Sequence, residues 1–328
     1  MTLISNYDAA LFDLDGVVYL GPEVVPGAAE SISQLREQGV RVGFVTNNAA
    51  RTPQQVADHL TELGVEASAD DVVTSAQAVA RLMANELPAG SPVLVCGSRA
   101  LASEVTAVGL AVVNSSADAP VAVVQGYDPT LNWADFDDAC YAIHQGAQWF
   151  VSNTDANRPT NKGLVPGAGA MMNVVGSAVD AEPSIAGKPY APLMHETITR
   201  LQAERPLFVG DRIDTDIMGA VGVGMDSLFV FTGAHGKADL LAADESGRPT
   251  HLSYDLAGLH AAARQAEVSE GRATCHDQVA VVRDGQVQLD QVPTDRDAQL
   301  DALWATLQLV WHQGAEGTAA AQSLDQLQ

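Results

Sequence analysis

The apolar residues fall in short runs that alternate with stretches of helical period, and almost every run ends in a polar residue able to do chemistry. Ala9 to Phe12 read as a buried strand, short, apolar and free of proline, and Asp13-Leu14-Asp15-Gly16 follows at its carboxyl end. Pro26-Gly27 opens a helix with Ala28, Ile32 and Leu35 on one face, stopped at Gly39. Val40–Val45 is a second strand, ending in Thr46-Asn47-Asn48, and a helix follows from Pro53 with Thr52 as its N-cap. Strand and helix alternating at this pace imply βαβ units and a parallel sheet.

A second series starts near Thr74: a helix over 76–86, a strand over 92–96, a helix from Arg99, short strands near 110–113 and 121–125, a helix over 133–145 and a strand over 148–152. A polar loop rich in Gly, Pro and Asn then runs from Asn153 to Pro166-Gly167, and a loop that long in a compact domain is usually functional. A helix to about Ser177 follows. Near Ile185 the first theme returns. Gly187-Lys188-Pro189 precedes a helix over 192–202, Leu207-Phe208-Val209-Gly210 leads into Asp211, and Thr215-Asp216 starts another helix. One more strand over 225–231 ends at Thr232-Gly233, with helices near Ala238 and Leu256. Beyond Val268 the pattern becomes a hairpin, with Asp284-Gly285 as its turn, and an amphipathic helix over 300–311. The Ala-, Gln- and Gly-rich end, 314–328, reads as frayed. The expected architecture is α/β: a doubly wound parallel-sheet core from 1–77 and 183–262, an inserted α/β block at 78–182, and a small C-terminal α+β extension at 263–328.

Composition narrows the partners. The 328 residues hold 17 Lys and Arg against 41 Asp and Glu, a formal charge of −24. Such a surface repels nucleic acid and anionic membranes, so neither is expected as a partner. A phosphorylated ligand would be repelled at long range too, so an anion site must carry its own cation. No apolar run approaches the length of a membrane span, and no signal peptide is evident. The three cysteines have no paired spacing, which fits a reduced, cytoplasmic chain, and the eight histidines show no metal-ligand pattern. Homo-oligomer formation stays open.

Asp13 and Asp15 lie two apart at a strand end, where open α/β sheets place their ligands. Carboxylates this close repel unless a cation sits between them, and Mg²⁺, hard and oxygen-seeking, suits the role. A bare Asp-Gly turn would fit the same residues. Thr46 would serve as a simple cap, Asp211 as a turn residue and Lys188 as a surface charge, if each stood alone. Their order along the chain gives the set its meaning.

The set Asp13-Leu14-Asp15-Gly16, Thr46-Asn47-Asn48, Lys188 and Gly210-Asp211-Arg212-Ile213-Asp214-Thr215-Asp216 resembles the haloacid dehalogenase superfamily of phosphatases, in the subgroup with a large α/β (type IIA) cap between the second and third motifs. The resemblance covers roughly residues 7–262. Val72-Val73-Thr74-Ser75-Ala76-Gln77, Gly210–Ile217 and the C-terminal segment look most like the actinobacterial glycerol-3-phosphate phosphatases. It implies that Asp13 is a nucleophile forming an aspartyl phosphate, and that Asp15 is the general acid and base. Mg²⁺ would be held by Asp13, the Asp15 backbone carbonyl and Asp211, with Asp216 orienting metal waters or Lys188. Thr46, Asn47, Asn48 and Lys188 would bind phosphate. Asn153, Asp155 and Arg158 in the block at 78–182 would read the leaving group of a small phosphorylated metabolite. Glycerol 3-phosphate is the substrate so implied. The alternatives are pyridoxal phosphate, a sugar phosphate or a nucleotide, with p-nitrophenyl phosphate as an in vitro substrate. A rival of another class is a non-catalytic metabolite-binding protein on the same fold.

Overall fold

A computed structural model describes residues 1–160 and 162–327; Asn161, within the expected loop, and Gln328 lie outside the described residues. The chain packs as two compact units, Met1–Val42 with Ala203–Gln328, and Gly43–Gln202.

In the first unit four strands lie side by side in the order His251–Ser253, Asp226–Val230, Pro206–Gly210, Ala9–Phe12, all parallel. Ala9, Ala10, Leu11 and Phe12 are buried on both faces, as are Leu207 to Val209 and Leu228 to Val230, which is why these runs are apolar throughout and do not alternate. The register sets Phe12 opposite Val209, and the Asp13 N–H continues the ladder to the Val209 carbonyl at 2.9 Å. Asp13 and Asp211 therefore leave adjacent strands at the same edge of the sheet.

The C-terminal residues are built into the same core. Strands Ala266–Ser269, Arg272–Cys275, Gln278–Arg283 and Gln286–Leu289 form an antiparallel sheet. The first of its hairpins was not legible in the sequence. In the last, Asp284 (φ 51°) and Gly285 (φ 78°) both take the left-handed conformation that a two-residue turn requires. Helix Arg296–Gln313 packs on this sheet, capped by Asp295, whose carboxylate accepts from the Asp297 and Ala298 N–H groups. It is longer than its predicted extent and buried nearly all round, from Gln299 to Leu307 and at Leu309 and Trp311, so it is a core helix and not an amphipathic one. The terminal segment is not frayed: Thr318–Gln322 is helical, and Leu324 and Leu327 are buried in the cluster that also holds Phe229, Phe231, Leu240 and Trp311.

Strand Arg41–Thr46 crosses the boundary. At its start Arg41 donates its N–H to the Asp8 carbonyl and ion-pairs with the Asp8 carboxylate. At its end it pairs in parallel with Val72–Thr74 in the second unit. There, helix Pro53–Glu62 starts in a reciprocal cap between Thr52 and Gln55, and Ser75–Glu86 in one between Thr74 and Gln77. A five-stranded parallel sheet follows in the order Ser184–Ile185, Gln148–Val151, Ala122–Gln125, Pro92–Cys96, Ala111–Val113. The long polar loop carries structure of its own, an antiparallel hairpin of Asn157–Thr160 and Gly163–Pro166. Its Arg-Pro-Thr and Leu-Val-Pro wording hid the strands, because proline is a poor ladder residue. The expected α/β fold of parallel sheets and helices is borne out, with a small antiparallel sheet at the C-terminus.

Candidate active site

In the first unit the carboxylates of Asp13, Asp211 and Asp216 each bring an oxygen within 4.8 Å of the others. Asp211 and Asp216 are buried and Asp13 is half-buried. Asp13 is carried there by the end of strand Ala9–Phe12. Asp211 follows strand Pro206–Gly210, and Asp216 lies in the wide helical turn Ile213–Ile217.

Glycines shape this pocket. A β-carbon at Gly16, whose φ is +93°, would lie 2.4 Å from Asp211 Oδ2, and one at Gly210 would lie 2.3 Å from the Asp216 β-carbon. Asp211 Oδ2 accepts the Ala234 N–H at 2.6 Å, and Asp216 Oδ2 accepts the Arg212 N–H at 3.1 Å. The Thr232 hydroxyl ties the loop to the Gly16 carbonyl at 2.6 Å, and the Ile213 N–H meets His235 Nδ1 at 3.0 Å.

The energetics favour a cation among the three carboxylates. Two unit charges about 4 Å apart repel by about 4 kcal/mol at the effective dielectric near a protein surface. A hydrogen bond to a charged group returns only about 1.5–3 kcal/mol. Three hard oxygens in a glycine-lined pocket fit a small divalent ion such as Mg²⁺, which keeps several of its waters. The Asp15 side chain is exposed, in keeping with a ligand role for its backbone carbonyl alone, and Asp216, expected to act at one remove, brings a carboxylate oxygen to the group.

In the second unit Thr46, Asn47, Asn153 and Lys188 are all buried, and Lys188 is only 2% exposed. Asn47 Oδ1 accepts the Lys188 N–H at 2.8 Å, and Asn47 Nδ2 donates to the Lys188 carbonyl and to Asp155 Oδ1, each at 3.1 Å. The Asn47 carbonyl accepts from Ser75 Oγ at 2.5 Å and Asn153 Nδ2 at 2.6 Å. Lys188 Nζ donates to the Val45 carbonyl at 3.5 Å. Asn48 is exposed; its N–H bonds Thr46 Oγ1, and its Oδ1 accepts the Ala50 N–H. Arg158 is exposed on the hairpin, its guanidinium 4.7 Å from the centre of the Tyr127 ring. Sequence reasoning missed Gly16, Gly187 and Gly233 as spacers, and Ser75 and Tyr127 as supports. A glycine flanking a strand-end carboxylate or a buried lysine is the signal that could have found Gly16 and Gly187.

A second group with ligand chemistry, Cys275, His276 and Asp301, is already satisfied. Asp301 accepts from Arg264 Nε and meets His276 Nδ1, both at 2.9 Å. Burial, reinforced by the Asp301 charge, pushes the Cys275 thiol up to about 12, so it stays protonated. The group reads as an ion-pair network tying strand Arg272–Cys275 to helix Arg296–Gln313.

The chain belongs to the haloacid dehalogenase-like hydrolases: their family models match residues 10–111 and 185–259. More particularly, it is 45% identical to the D-glycerol 3-phosphate phosphatase of Mycobacterium tuberculosis over 259 residues, 79% of this chain and 72% of that protein. It is 36% identical to an acid sugar phosphatase of Staphylococcus saprophyticus, over 77% of this chain and 96% of the relative. The crystal structure of glycerol phosphate phosphatase from M. tuberculosis with magnesium superposes with a TM-score of 0.84 and 37% identity, covering 99% of this chain and 98% of that one. The family expected from the motifs is thus borne out. Among the described residues no helix is long and apolar enough to cross a membrane.

Proposed function

We propose that this chain is a Mg²⁺-dependent phosphomonoester hydrolase that acts on a small phosphorylated metabolite, glycerol 3-phosphate by preference. The observation that carries the reading is the meeting of three carboxylates, Asp13 and Asp211 from adjacent strand ends and Asp216 from the turn Ile213–Ile217. A protein that only binds a metabolite needs no nucleophile such as Asp13.

In this reading Mg²⁺, held by Asp13, Asp211 and Asp216, neutralises the nucleophile and the phosphate that approaches it. The Asp13 carboxylate attacks phosphorus, the P–O bond to the alcohol breaks, and an aspartyl phosphate forms. Asp15 gives its proton to the leaving alkoxide, then takes one from the water that attacks phosphorus and frees Asp13. A leaving halide would need no such proton, so Asp15 fits ester cleavage and not dehalogenation. Thr46 and the Asn47 main chain bind phosphate oxygens, and Lys188 supplies the local cation that a chain of charge −24 needs for an anionic substrate. Residues 78–182 act as the cap that selects substrate, with Arg158 as its reader. A cytoplasmic setting fits three buried cysteines that stand unpaired.

Sugar phosphates are the leading rival substrates, given the staphylococcal relative. A phosphate-release panel at fixed Mg²⁺ over glycerol 3-phosphate, sugar phosphates, pyridoxal phosphate, nucleotides and p-nitrophenyl phosphate tests the assignment. The highest kcat/KM is expected for glycerol 3-phosphate. A flat profile would remove the substrate, and no release from any ester would remove the activity.

A further inference from the structure

We infer that the Asn47 side chain is a positioning clamp for Lys188 and for the loop Asn153–Asp155, and not itself a ligand of phosphate. A carboxamide has two N–H donors and one carbonyl oxygen. Both donors of Asn47 are engaged, one on the Lys188 carbonyl and one on Asp155 Oδ1. Phosphate oxygens of an ionised ester accept hydrogen bonds, so this side chain has no donor left to offer them. Its oxygen accepts the Lys188 N–H. One amide thus holds both backbone polar groups of Lys188, as a neighbouring strand would.

The surroundings are built for this contact. A β-carbon at Gly187 would lie 2.7 Å from Asn47 Oδ1 and 2.6 Å from the Ser152 carbonyl, so only glycine lets the Lys188 backbone approach. The loop is tied to Asn47 twice, by Asp155 to its side chain and by Asn153 Nδ2 to its carbonyl. The Asp155 N–H in turn donates to Asn153 Oδ1 at 3.2 Å, closing the loop on itself. Ser75, the first residue of helix Ser75–Glu86, holds the same carbonyl from the other side. Asn153 and Asp155 therefore anchor the loop, and selection of the leaving group falls to Arg158, whose guanidinium rests on Tyr127 outside this network.

Two measurements decide the assignment, the kinetic one resting on the phosphatase reading and the other independent of it. The first is an exchange of partners. Asn47→Asp sets a carboxylate against Asp155 and should lower kcat/KM by about 100-fold, the scale of a misplaced catalytic group. Adding Asp155→Asn returns a donor to the pair and should recover about tenfold of that loss. The second is hydrogen–deuterium exchange without ligand. Asn47→Ala should speed exchange at least tenfold in the segments 186–190 and 153–156, while helix Arg296–Gln313 stays as protected as in the parent. A double variant that is worse than Asn47→Asp alone, or unchanged exchange in both segments, would overturn the clamp. If the parent protein releases no phosphate from any ester, the proposed activity fails, while the exchange result still decides the clamp.

Discussion

A β-carbon placed on Gly233 would sit 1.9 Å from Oδ2 of Asp211. No rotamer change of a flexible tail can relieve that, because the Asp211 γ- and β-carbons follow at 2.3 and 2.6 Å. Gly233→Ala must move the carboxylate away from Asp13 and Asp216. We expect kcat/KM to fall by about 100-fold, the cost of roughly ångström-scale misplacement of a catalytic group. Mg²⁺ should also lose its effect on thermal stability in this variant. In the parent protein Mg²⁺ at 100 times its Kd should add about 2.7 kcal/mol, read as a rise in Tm that EDTA reverses. An unchanged Mg²⁺ response in Gly233→Ala would show that Asp211 is not a ligand.

Arg158 and Asp155 lie three residues apart in one loop, yet their variants should behave differently. Arg158→Ala should change the ranking of substrates in the panel, because the guanidinium is exposed on the hairpin. Asp155→Ala should lower kcat/KM by a similar factor for every ester, because it acts on the mount of Lys188. Ratios of kcat/KM across the panel separate the two; equal shifts in ranking would contradict the division of labour.

Trp311 joins the C-terminal helix to the parallel-sheet region. Its indole N–H donates to the Leu240 carbonyl at 2.9 Å, and its ring meets Trp304 edge to face at 5.8 Å. Trp311→Ala should cost about 3–5 kcal/mol, seen as a lower urea midpoint. Removal of 263–328 should leave an aggregating fragment, since it uncovers Phe229, Phe231 and Leu240 together. A soluble, active truncated protein would refute this.

His251 predicts a pH dependence of stability. Its Nε2 meets the Tyr7 hydroxyl at 2.9 Å, and that hydroxyl donates to Asp226 Oδ2 at 2.8 Å. Burial and then Asp226 push the Tyr7 hydroxyl up, so it keeps its proton. The neutral imidazole donates through Nε2–H, and the buried Nδ1 has no partner among the described residues. Burial pulls the His251 pKa below its usual value, against the upward pull of Asp226. The unfolded chain therefore takes up this proton first as pH falls. The contribution is complete above the unfolded value of about 6.5 and is lost as pH falls through the lower folded value. His251→Gln, which keeps a donor for Tyr7 but does not titrate, should flatten the Tm–pH curve below about 6.5. An identical curve would assign the acid sensitivity to other groups.

The strand ends were legible because each ends an apolar run at a chemically distinct residue. Ala9–Phe12 and Pro92–Cys96 have the expected bounds, and Thr46, Asp211 and Lys188 lie where strand or helix ends put them. The hairpin at 157–166 was hidden by its prolines, and the one at 266–275 by its first strand, Ala266–Ser269, in which three of four residues are exposed. The burial of 314–327 was hidden by composition, since Ala320 and Ala321 carry too little apolar surface to announce a core contact. Asn47 as a hub could not be read from sequence. Its partners Lys188 and Asp155 are more than 100 residues away, and hydrogen bonds leave no periodicity.

The most direct measurement is phosphate release from glycerol 3-phosphate by the parent protein and by Asp13→Asn, each with Mg²⁺ and with EDTA. The account predicts release only by the parent with Mg²⁺, and loss to background in the other three conditions, because the nucleophile and the ion that neutralises it are both indispensable. Undiminished release by Asp13→Asn, or by the parent in EDTA, would contradict it.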